Sequence, residues 1–445
     1  MRQILNTPAN IAKEYSYFEY LTPPHIETLD TLLCQMFHGD VSRLIVNMPP
    51  RHGKSELISK YLPVWWLLNR PHDKILLVTY AAEFATTWTL QARELYAMVG
   101  RKPVISKQNY FQTRQGGSFF ATGIDGQLTG KGFDLVIIDD PVKNAEDASS
   151  ARLRDKAWNW YVSTLMTRFT RNTKLIVVQT RWHLDDLTGR IIANDKQEKF
   201  RRVIFPAIDE NNNPLWEERF NLEELLDIKE TLGSYFFSAL YQQTPLASDN
   251  IIVKPEWFQY YNHEITHYDM FIRSWDTALE DKTQNDYTVC SEWYLVGDEL
   301  YLHNIHRAKM QFPDLVATAN LLNDQKPADL DIVEDSTPGK SFIQHMIENS
   351  SMAVKAIKPL GSKQLRLNIA AATFEAKKIF IKEAEWNYDF EKEMLEFPNS
   401  KHDDIVDSIT QAVLYLNKQR RGSSSLEYLK LDNNKKDYFN NTNWI

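Results

Sequence analysis

The sequence predicts an α/β protein built from two α/β units in series. Three observations lead there. Short apolar runs at 43–48, 74–80, 118–123, 134–139 and 174–180 alternate with segments of helical spacing, the pattern of a mostly parallel sheet covered on both faces. A second series of apolar runs starts at Met270, after a stretch with a different pattern. At 445 residues the chain is also longer than one hydrophobic core usually organises.

In chain order, Ile26, Leu29, Leu32, Leu33 and Phe37 share one face of a first helix, before the strand at 43–48. Pro49-Pro50 end that strand, and a helix opens at Gly53-Lys54-Ser55 with Leu57, Ile58, Tyr61, Leu62, Trp65 and Trp66 at helical spacing. The strand at 74–80 leads to an alanine-rich helix over 82–98, then the strand at 118–123 and a glycine-rich loop at 126–132. After the strand at 134–139 come a helix over 151–169, the strand at 174–180, a helix over 184–193 and a last strand at 202–205. The stretch 206–261 reads as a connector, with a turn at 211–214, a helix over 222–240 and a polar link ending in Asp249-Asn250. The second unit opens with a strand at 270–276 and continues as a meander through 289–295 and 300–305, joined at Gly297-Asp298. A helix over 312–323, a strand at 330–334, a helix over 365–376, a strand at 379–381 and a helix reaching 416 complete it.

Lys and Arg total 51 against 59 Asp and Glu, a net charge of −8, which argues against a protein that coats nucleic acid by bulk charge. Cys34 and Cys290 are far apart and lack metal-ligand spacing, so neither a disulfide framework nor a zinc ribbon is expected. The first residues hold no apolar signal-peptide core, and the apolar stretch at 61–68 is too short to span a bilayer.

The run ending at Lys54-Ser55 has the makings of a phosphate site. In a strand–turn–helix junction, free backbone N–H groups and the helix dipole point at the turn. Lys54 would supply charge to the outer phosphates, and the Ser55 hydroxyl would ligate Mg²⁺. Met48 stands where the full P-loop pattern has its first glycine. A second half of the pattern follows at Ile137-Ile138-Asp139, a buried strand ending in a carboxylate that would hold Mg²⁺. Asp140 is next, as the acid that would orient the attacking water. Arg51 lies inside the loop as a cis arginine, and Gln179-Thr180-Arg181 ends the next strand, where a γ-phosphate sensor belongs. In phosphoryl transfer such groups mainly position and neutralise charge.

In the second unit Asp276 and Glu334-Asp335 end strands, while Asp403-Asp404 begin a helix that also carries Asp407. Carboxylates from three separated segments can converge where a sheet brings its strand ends together. Unpaired, they raise each other's pKa values and call for a cation such as Mg²⁺ or Mn²⁺. Asp286 is a possible additional ligand, and Lys363 and Arg366 are candidates to contact a scissile backbone.

These residues together resemble a known family, the large terminase subunit of tailed double-stranded DNA bacteriophages and prophages. Pro49-Pro50-Arg51-His52-Gly53-Lys54-Ser55 is similar to its deviant Walker A motif, and Ile137-Ile138-Asp139-Asp140-Pro141 to a Walker B segment. Gln179-Thr180-Arg181-Trp182-His183 resembles its coupling motif. Ser274-Trp275-Asp276, Val333-Glu334-Asp335 and His402-Asp403-Asp404-Ile405-Val406-Asp407 are similar to its nuclease motifs. The resemblance spans about residues 20 to 418, and Asp140 stands where many relatives have Glu.

The resemblance implies an additional-strand P-loop ATPase domain at 1–206 and a ribonuclease H-like nuclease domain at 263–418, on either side of the connector at 207–262, while the Asn/Lys-rich tail at 419–445 reads from its composition as disordered. It implies a motor subunit that cuts concatemeric phage DNA and pumps it into a procapsid with ATP. Pro50, Arg51, His52, Gly53, Lys54, Ser55 and Asp139 would bind nucleotide and Mg²⁺, with Arg51, Asp140 and Thr180 serving hydrolysis and its coupling to motion. Asp276, Glu334 and Asp403 or Asp404 would hold the Mg²⁺ or Mn²⁺ of a two-metal nuclease. Double-stranded DNA, a small terminase subunit and the portal are the implied partners, in a ring on the portal inside the infected host's cytoplasm, with no membrane association. A helicase-like translocase whose second unit only binds nucleic acid, and a catalytically silent prophage remnant, are the alternatives.

Overall fold

The computed structural model describes residues 6–17, 19–128, 132–246, 252–278 and 287–420. The described residues form two compact units: one holds residues up to Asp227 together with 236–246, the other 228–235 together with 252–420.

The first unit is an α/β sheet of eight strands: β1 (Arg43–Asn47), β2 (Lys74–Thr79), β3 (Ile105–Lys107), β4 (Tyr110–Gln112), β5 (Ser118–Gly123), β6 (Leu135–Asp139), β7 (Lys174–Gln179) and β8 (Arg201–Ile204), in the order β3-β4-β5-β2-β6-β7-β1-β8. From β5 to β8 every pairing is parallel. Successive side chains on a strand point to opposite faces, so Leu44, Val46, Ile75, Leu77, Ile137 and Ile176 enter one core with the helices Pro24–His38 and Ala82–Met98. Ile45, Leu76, Val78, Val136, Ile138 and Val177 enter a second core with the helices Ala151–Trp160 and Leu187–Asn194. Burial on both faces is why these strands read as unbroken apolar runs. The chain order places β7 between β1 and β6, so the C-terminal ends of these three parallel strands stand side by side.

The sequence did not announce β3 and β4, whose antiparallel hairpin extends one edge. The expected helix over 151–169 is interrupted: after Trp160 it continues as a π-helical turn, Tyr161–Leu165, and a 3₁₀ turn, Met166–Arg168. The segment 207–262 does not form a third unit. The helix Leu222–Leu240 breaks at Gly233, whose φ of 73° is non-helical, and its residues 228–235 belong with the second unit.

The second unit is a seven-stranded sheet of β9 (Gln259–Tyr261), β10 (Met270–Asp276), β11 (Thr288–Val296), β12 (Glu299–Ala308), β13 (Leu330–Glu334), β14 (Val354–Ile357) and β15 (Ile379–Lys382), ordered β14-β13-β10-β11-β12-β15-β9. β10, β11 and β12 are the expected antiparallel meander, and the remaining pairings are parallel. β9, expected inside the connector, is an edge strand of this sheet. Cys34 and Cys290 are free thiols. Among the described residues no helix is long and apolar enough to cross a membrane. The calls on the Gly126–Gly132 loop, the 241–250 link, Asp286 and the tail fall wholly or partly on residues 129–131, 247–250, 286 and 421–445, outside the described ones.

Candidate functional site

In the first unit the loop after β1 turns through two left-handed positions, Arg51 at φ 61° and Gly53 at φ 87°. A Cβ on Gly53 would stand 3.0 Å from the Ile26 side chain, so this position favours glycine for space as well as for backbone freedom. The helix that follows begins at Lys54 and runs as a π-helical stretch, Glu56–Tyr61, before becoming regular over Leu62–Asn69. The wider turn aligns two hydroxyls on one carboxylate: Ser55 Oγ donates to Asp139 Oδ1 at 2.9 Å and Ser59 Oγ donates to Oδ2 at 2.7 Å. Asp139 is fully buried at the end of β6, and its pKa is pushed up by that burial and by Asp140, against Lys54 and the two serines.

Asp140 adopts φ 43°, a strained backbone for a non-glycine residue and one often found at functional positions. Its carboxylate joins two neighbours, pairing with Lys54 Nζ at 3.1 Å and accepting from the Thr180 N–H at 2.8 Å. Thr180 Oγ1 donates to the Met48 carbonyl at 3.1 Å, and Asn47 Nδ2 donates to the Gln179 carbonyl at 3.0 Å. Thr180 therefore ties the loop after β1 to the acid after β6. In the segment that follows β7, Arg181 is locked on Asp186 at 2.8 Å and Asp186 caps the helix Leu187–Asn194.

These strand ends open on a cavity of about 280 Å³ lined by Pro50, Arg51, Gly53, Lys54 and Ser55 on one side, Asp140, Lys143 and Thr180 on another, and Tyr80, Phe84 and Trp88 opposite. Every loop residue expected to bind nucleotide lies on it except His52. That ring is fully buried, bonded through Nδ1 to the Pro50 carbonyl at 2.8 Å and stacked on Phe220 at 5.2 Å. It holds the loop from beneath. The Tyr20–His25 region also lies behind the loop, with His25 Nε2 bonded to the His52 carbonyl at 3.0 Å.

Burial pushes the His52 pKa down to about 4, against the Pro50 hydrogen bond. Because the folded value lies below the unfolded one near 6.5, this histidine's contribution to stability is complete above that pH and is lost as pH falls toward 4. The buried carboxylates with raised pKa values, such as Asp139, act in the opposite sense, so the diagnostic quantity is a difference. Between pH 6.5 and 5 the wild-type chain should lose roughly 2 kcal/mol more stability than His52→Phe. Equal pH slopes in thermal melts of the two proteins would overturn this account.

In the second unit β10 and β13 run parallel in register up to Trp275 and Val333, so Asp276 and Glu334, one step further, end neighbouring strands at one level. The helix Asp404–Gln419 is pinned across them. Ser274 Oγ donates to the Ser408 carbonyl and Ser408 Oγ to the Ser274 carbonyl, both at 2.9 Å, while Gln411 Nε2 donates to Ser274 Oγ at 3.0 Å. Glu393 accepts from the N–H groups of Ile405 at 2.6 Å and Val406 at 3.2 Å, capping the helix start. Asp404 and Asp407, three apart, share a helix face. Desolvation and then Asp407, Glu334 and Asp404 hold the half-buried Asp276 carboxyl well above its ordinary range, with Lys363 opposing. Burial and Asp407 also raise Glu334.

Of the alternative pair, Asp404 faces Asp276, whereas Asp403 pairs with Lys363 Nζ at 2.7 Å. Lys363 also reaches Asp407 at 2.6 Å. Although burial opposes it, these two hydrogen bonds hold the ammonium above its ordinary range. Arg366 pairs with Asp407 at 2.6 Å. Both cations expected to contact a DNA backbone are thus engaged by acids of the centre. Among the described residues no three or more His, Cys, Asp or Glu side chains stand as a group that could hold a metal ion. The donor chemistry still fits a hard divalent cation: all donors are carboxylates, and Asp276 is destabilised as an anion by three others.

The sequence of residues 45–256 matches the profile of a family described as terminase large subunit, T4likevirus-type, N-terminal. Over these residues the chain is similar to the large terminase subunit. The structure resembles that of the large terminase from a thermophilic bacteriophage, with a TM-score of 0.57 at 12% identity over 89% of this chain and 99% of that one. A crystal form of the same phage protein in complex with ATP-gamma-S gives a TM-score of 0.54 at 13% identity, over 86% and 97% of the two chains. Its ADP complex gives 0.53 at 12%, over 86% and 97%. At these identities the likeness is one of fold. No curated protein matches the sequence.

Three residues at these two sites were given no role from the sequence. Ser59 lies one helical turn past Ser55 and is legible in hindsight from that spacing alone. Asp407 is singled out from its neighbours only when Asp404 is known to face Asp276. Arg219, on the cavity wall, belongs to no pattern.

Proposed function

We propose that the chain is the ATP-hydrolysing subunit of a viral DNA-packaging motor and that its second unit is a metal-dependent endonuclease for the same DNA. The observation that supports this best is the pairing, in one chain, of a Walker-type centre around Lys54, Ser55 and Asp139 with a carboxylate centre around Asp276, Glu334, Asp404 and Asp407. The match of residues 45–256 to the terminase large-subunit profile supports the same conclusion. The ATP-gamma-S and ADP complexes of the thermophilic phage protein support a nucleotide in this fold.

In this mechanism the loop N–H groups and Lys54 receive the triphosphate, and Lys54 gives up Asp140 as it does so. Released, Asp140 orients the attacking water, and Arg51 neutralises charge on the terminal phosphate. Ser55 and Asp139 would hold Mg²⁺, which supplies charge compensation for the β- and γ-phosphates. Thr180 loses or regains its Asp140 partner as the nucleotide changes, which moves the segment 181–186. In the second unit Asp276, Glu334 and Asp404 would hold divalent ions, whose charge would make a bound water more acidic and offset the negative charge of a phosphodiester. Double-stranded DNA is the substrate, with a small terminase subunit, the portal and a ring of copies as partners in the host cytoplasm.

The test is to assay the full chain for ATP hydrolysis with and without duplex DNA, and for nicking of supercoiled plasmid with Mn²⁺. DNA-stimulated hydrolysis together with nicking is expected. Hydrolysis without nicking would replace this reading with a translocase whose second unit only binds DNA, and neither activity would leave a silent remnant.

A further inference from the structure

The cavity of the first unit carries more positive charge than the P-loop pattern explains. Arg51, Lys54, Lys143 and Arg219 line it against Glu56 and Asp140. Lys54 is neutralised by Asp140. Arg219 is different. It comes from neither the loop nor a strand end, and among the described residues it forms no ion pair, lying instead over the Trp216 ring at 5.2 Å.

Its position is built rather than incidental. Trp216 to Phe220 form a tight turn, with the Arg219 and Phe220 N–H groups donating to the Trp216 carbonyl at 3.1 and 2.9 Å. Two rings of that turn dock on the underside of the P-loop: Phe220 stacks on His52 at 5.2 Å, and Trp216 meets His25 at 5.5 Å. His25 is in turn bonded to the His52 carbonyl. The same buried histidine therefore supports the loop and anchors the turn that presents Arg219. Desolvation depresses the Arg219 pKa and so does repulsion from Arg51, with Glu56 opposing. The Arg219 side chain is exposed at the cavity wall, and a guanidinium held beside a second one there makes a positive wall that an anion between them would neutralise.

We propose that Arg219 is a second arginine contact for the phosphate chain of the bound nucleotide, delivered in cis by the segment that follows the strands of the first unit. It rests on the assignment of this cavity to ATP. A guanidinium suits phosphate because its planar fork bonds two oxygens at once. The turn's attachment to the P-loop also means that phosphate held by Arg51 and Arg219 together links the loop to the chain leading into the helix Leu222–Leu240.

The experiment is calorimetric titration of ATP-gamma-S and ADP, with Mg²⁺, into the full-length wild-type chain, Arg219→Gln and Arg219→Lys, with melting curves for each. Arg219→Gln should weaken ATP-gamma-S binding by about tenfold to a hundredfold, the size of a lost charge-assisted hydrogen bond, at an unchanged melting temperature. Arg219→Lys, which keeps the charge, should recover part of that loss. A loss confined to ATP-gamma-S would place the contact at the terminal phosphate, and a loss shared with ADP would place it further in. Both outcomes support the proposal. Wild-type affinity in a folded Arg219→Gln would overturn it. So would equal weakening in Gln and Lys variants that both melt early, because that is the mark of a packing role at Trp216. Failure of the wild-type chain itself to bind ATP-gamma-S would instead overturn the ATP assignment.

Discussion

Lys54→Ala is expected to lower ATP turnover by at least a hundredfold to a thousandfold, about the effect of removing one preorganised charge donor from a phosphoryl-transfer site. The wild-type geometry explains why the effect should be on chemistry rather than folding. Lys54 pairs at its tip with Asp140 at 3.1 Å, and Asp140 retains the Thr180 N–H at 2.8 Å when the lysine is gone. The Asp140 side chain is also partly open to solvent, at 26% exposure, so an unpaired carboxylate there is hydrated rather than stranded. The loop itself is held from beneath by His52 and Phe220, which the substitution does not touch. A melting temperature within a few degrees of wild type, together with collapsed turnover, is the expected pair of readings. Turnover that survives in the purified variant would remove the assignment of this cavity to ATP hydrolysis, and a variant that fails to fold would show that Lys54 acts mainly as Asp140's partner.

What was legible in the sequence follows a physical rule. β1, β6 and β7 are buried on both faces, so their composition is forced to be apolar and their ends are marked by the first polar residue; Asp139 and Gln179 are read directly from that. Asp276 and Glu334 are legible for the same reason in the second sheet. Regular helices such as Pro24–His38 and Ala82–Met98 announce themselves by the spacing of their buried residues. Short exposed pieces do not: the three residues of β3 are all exposed, leaving no pattern to detect. Position in a motif also failed to predict direction at His52, where left-handed turns at Arg51 and Gly53 send the intervening ring inward. Contacts between distant segments were beyond reach altogether. The Ser274–Ser408 exchange that sets the acid-bearing helix across β10 joins residues 134 positions apart, and neither serine stands out in its own neighbourhood. Arg219 belongs to this last class, since only the fold brings its turn against the P-loop.

Asp276→Asn should abolish metal-dependent nicking of supercoiled DNA, leave ATP hydrolysis unchanged and raise the melting temperature of the metal-free protein. The last effect separates this prediction from a general loss of structure. Asp276 is half-buried, and its ionised form is opposed by desolvation, Asp407, Glu334 and Asp404, with Lys363 as the attractive contribution. A carboxylate whose folded pKa is raised contributes stability at acid pH that is lost as pH rises through that value, so at neutral pH the wild-type chain bears the penalty. Asparagine has nearly the same shape and no charge, and removes it. Divalent cation should act in the reverse sense: Mn²⁺ should raise the wild-type melting temperature, because a ligand bound only by the folded state stabilises it, and should do so far less in the variant. Lys363 sharpens the test, since its ammonium bridges Asp403 and Asp407 at 2.7 and 2.6 Å and is the cation that already offsets the repulsion at Asp276. If Mn²⁺ raises both melting temperatures equally, the ion binds elsewhere and Asp276 is not a ligand. If the metal-free variant melts below wild type, the carboxylate serves packing rather than charge, and the four acids are a structural cluster instead of a catalytic one.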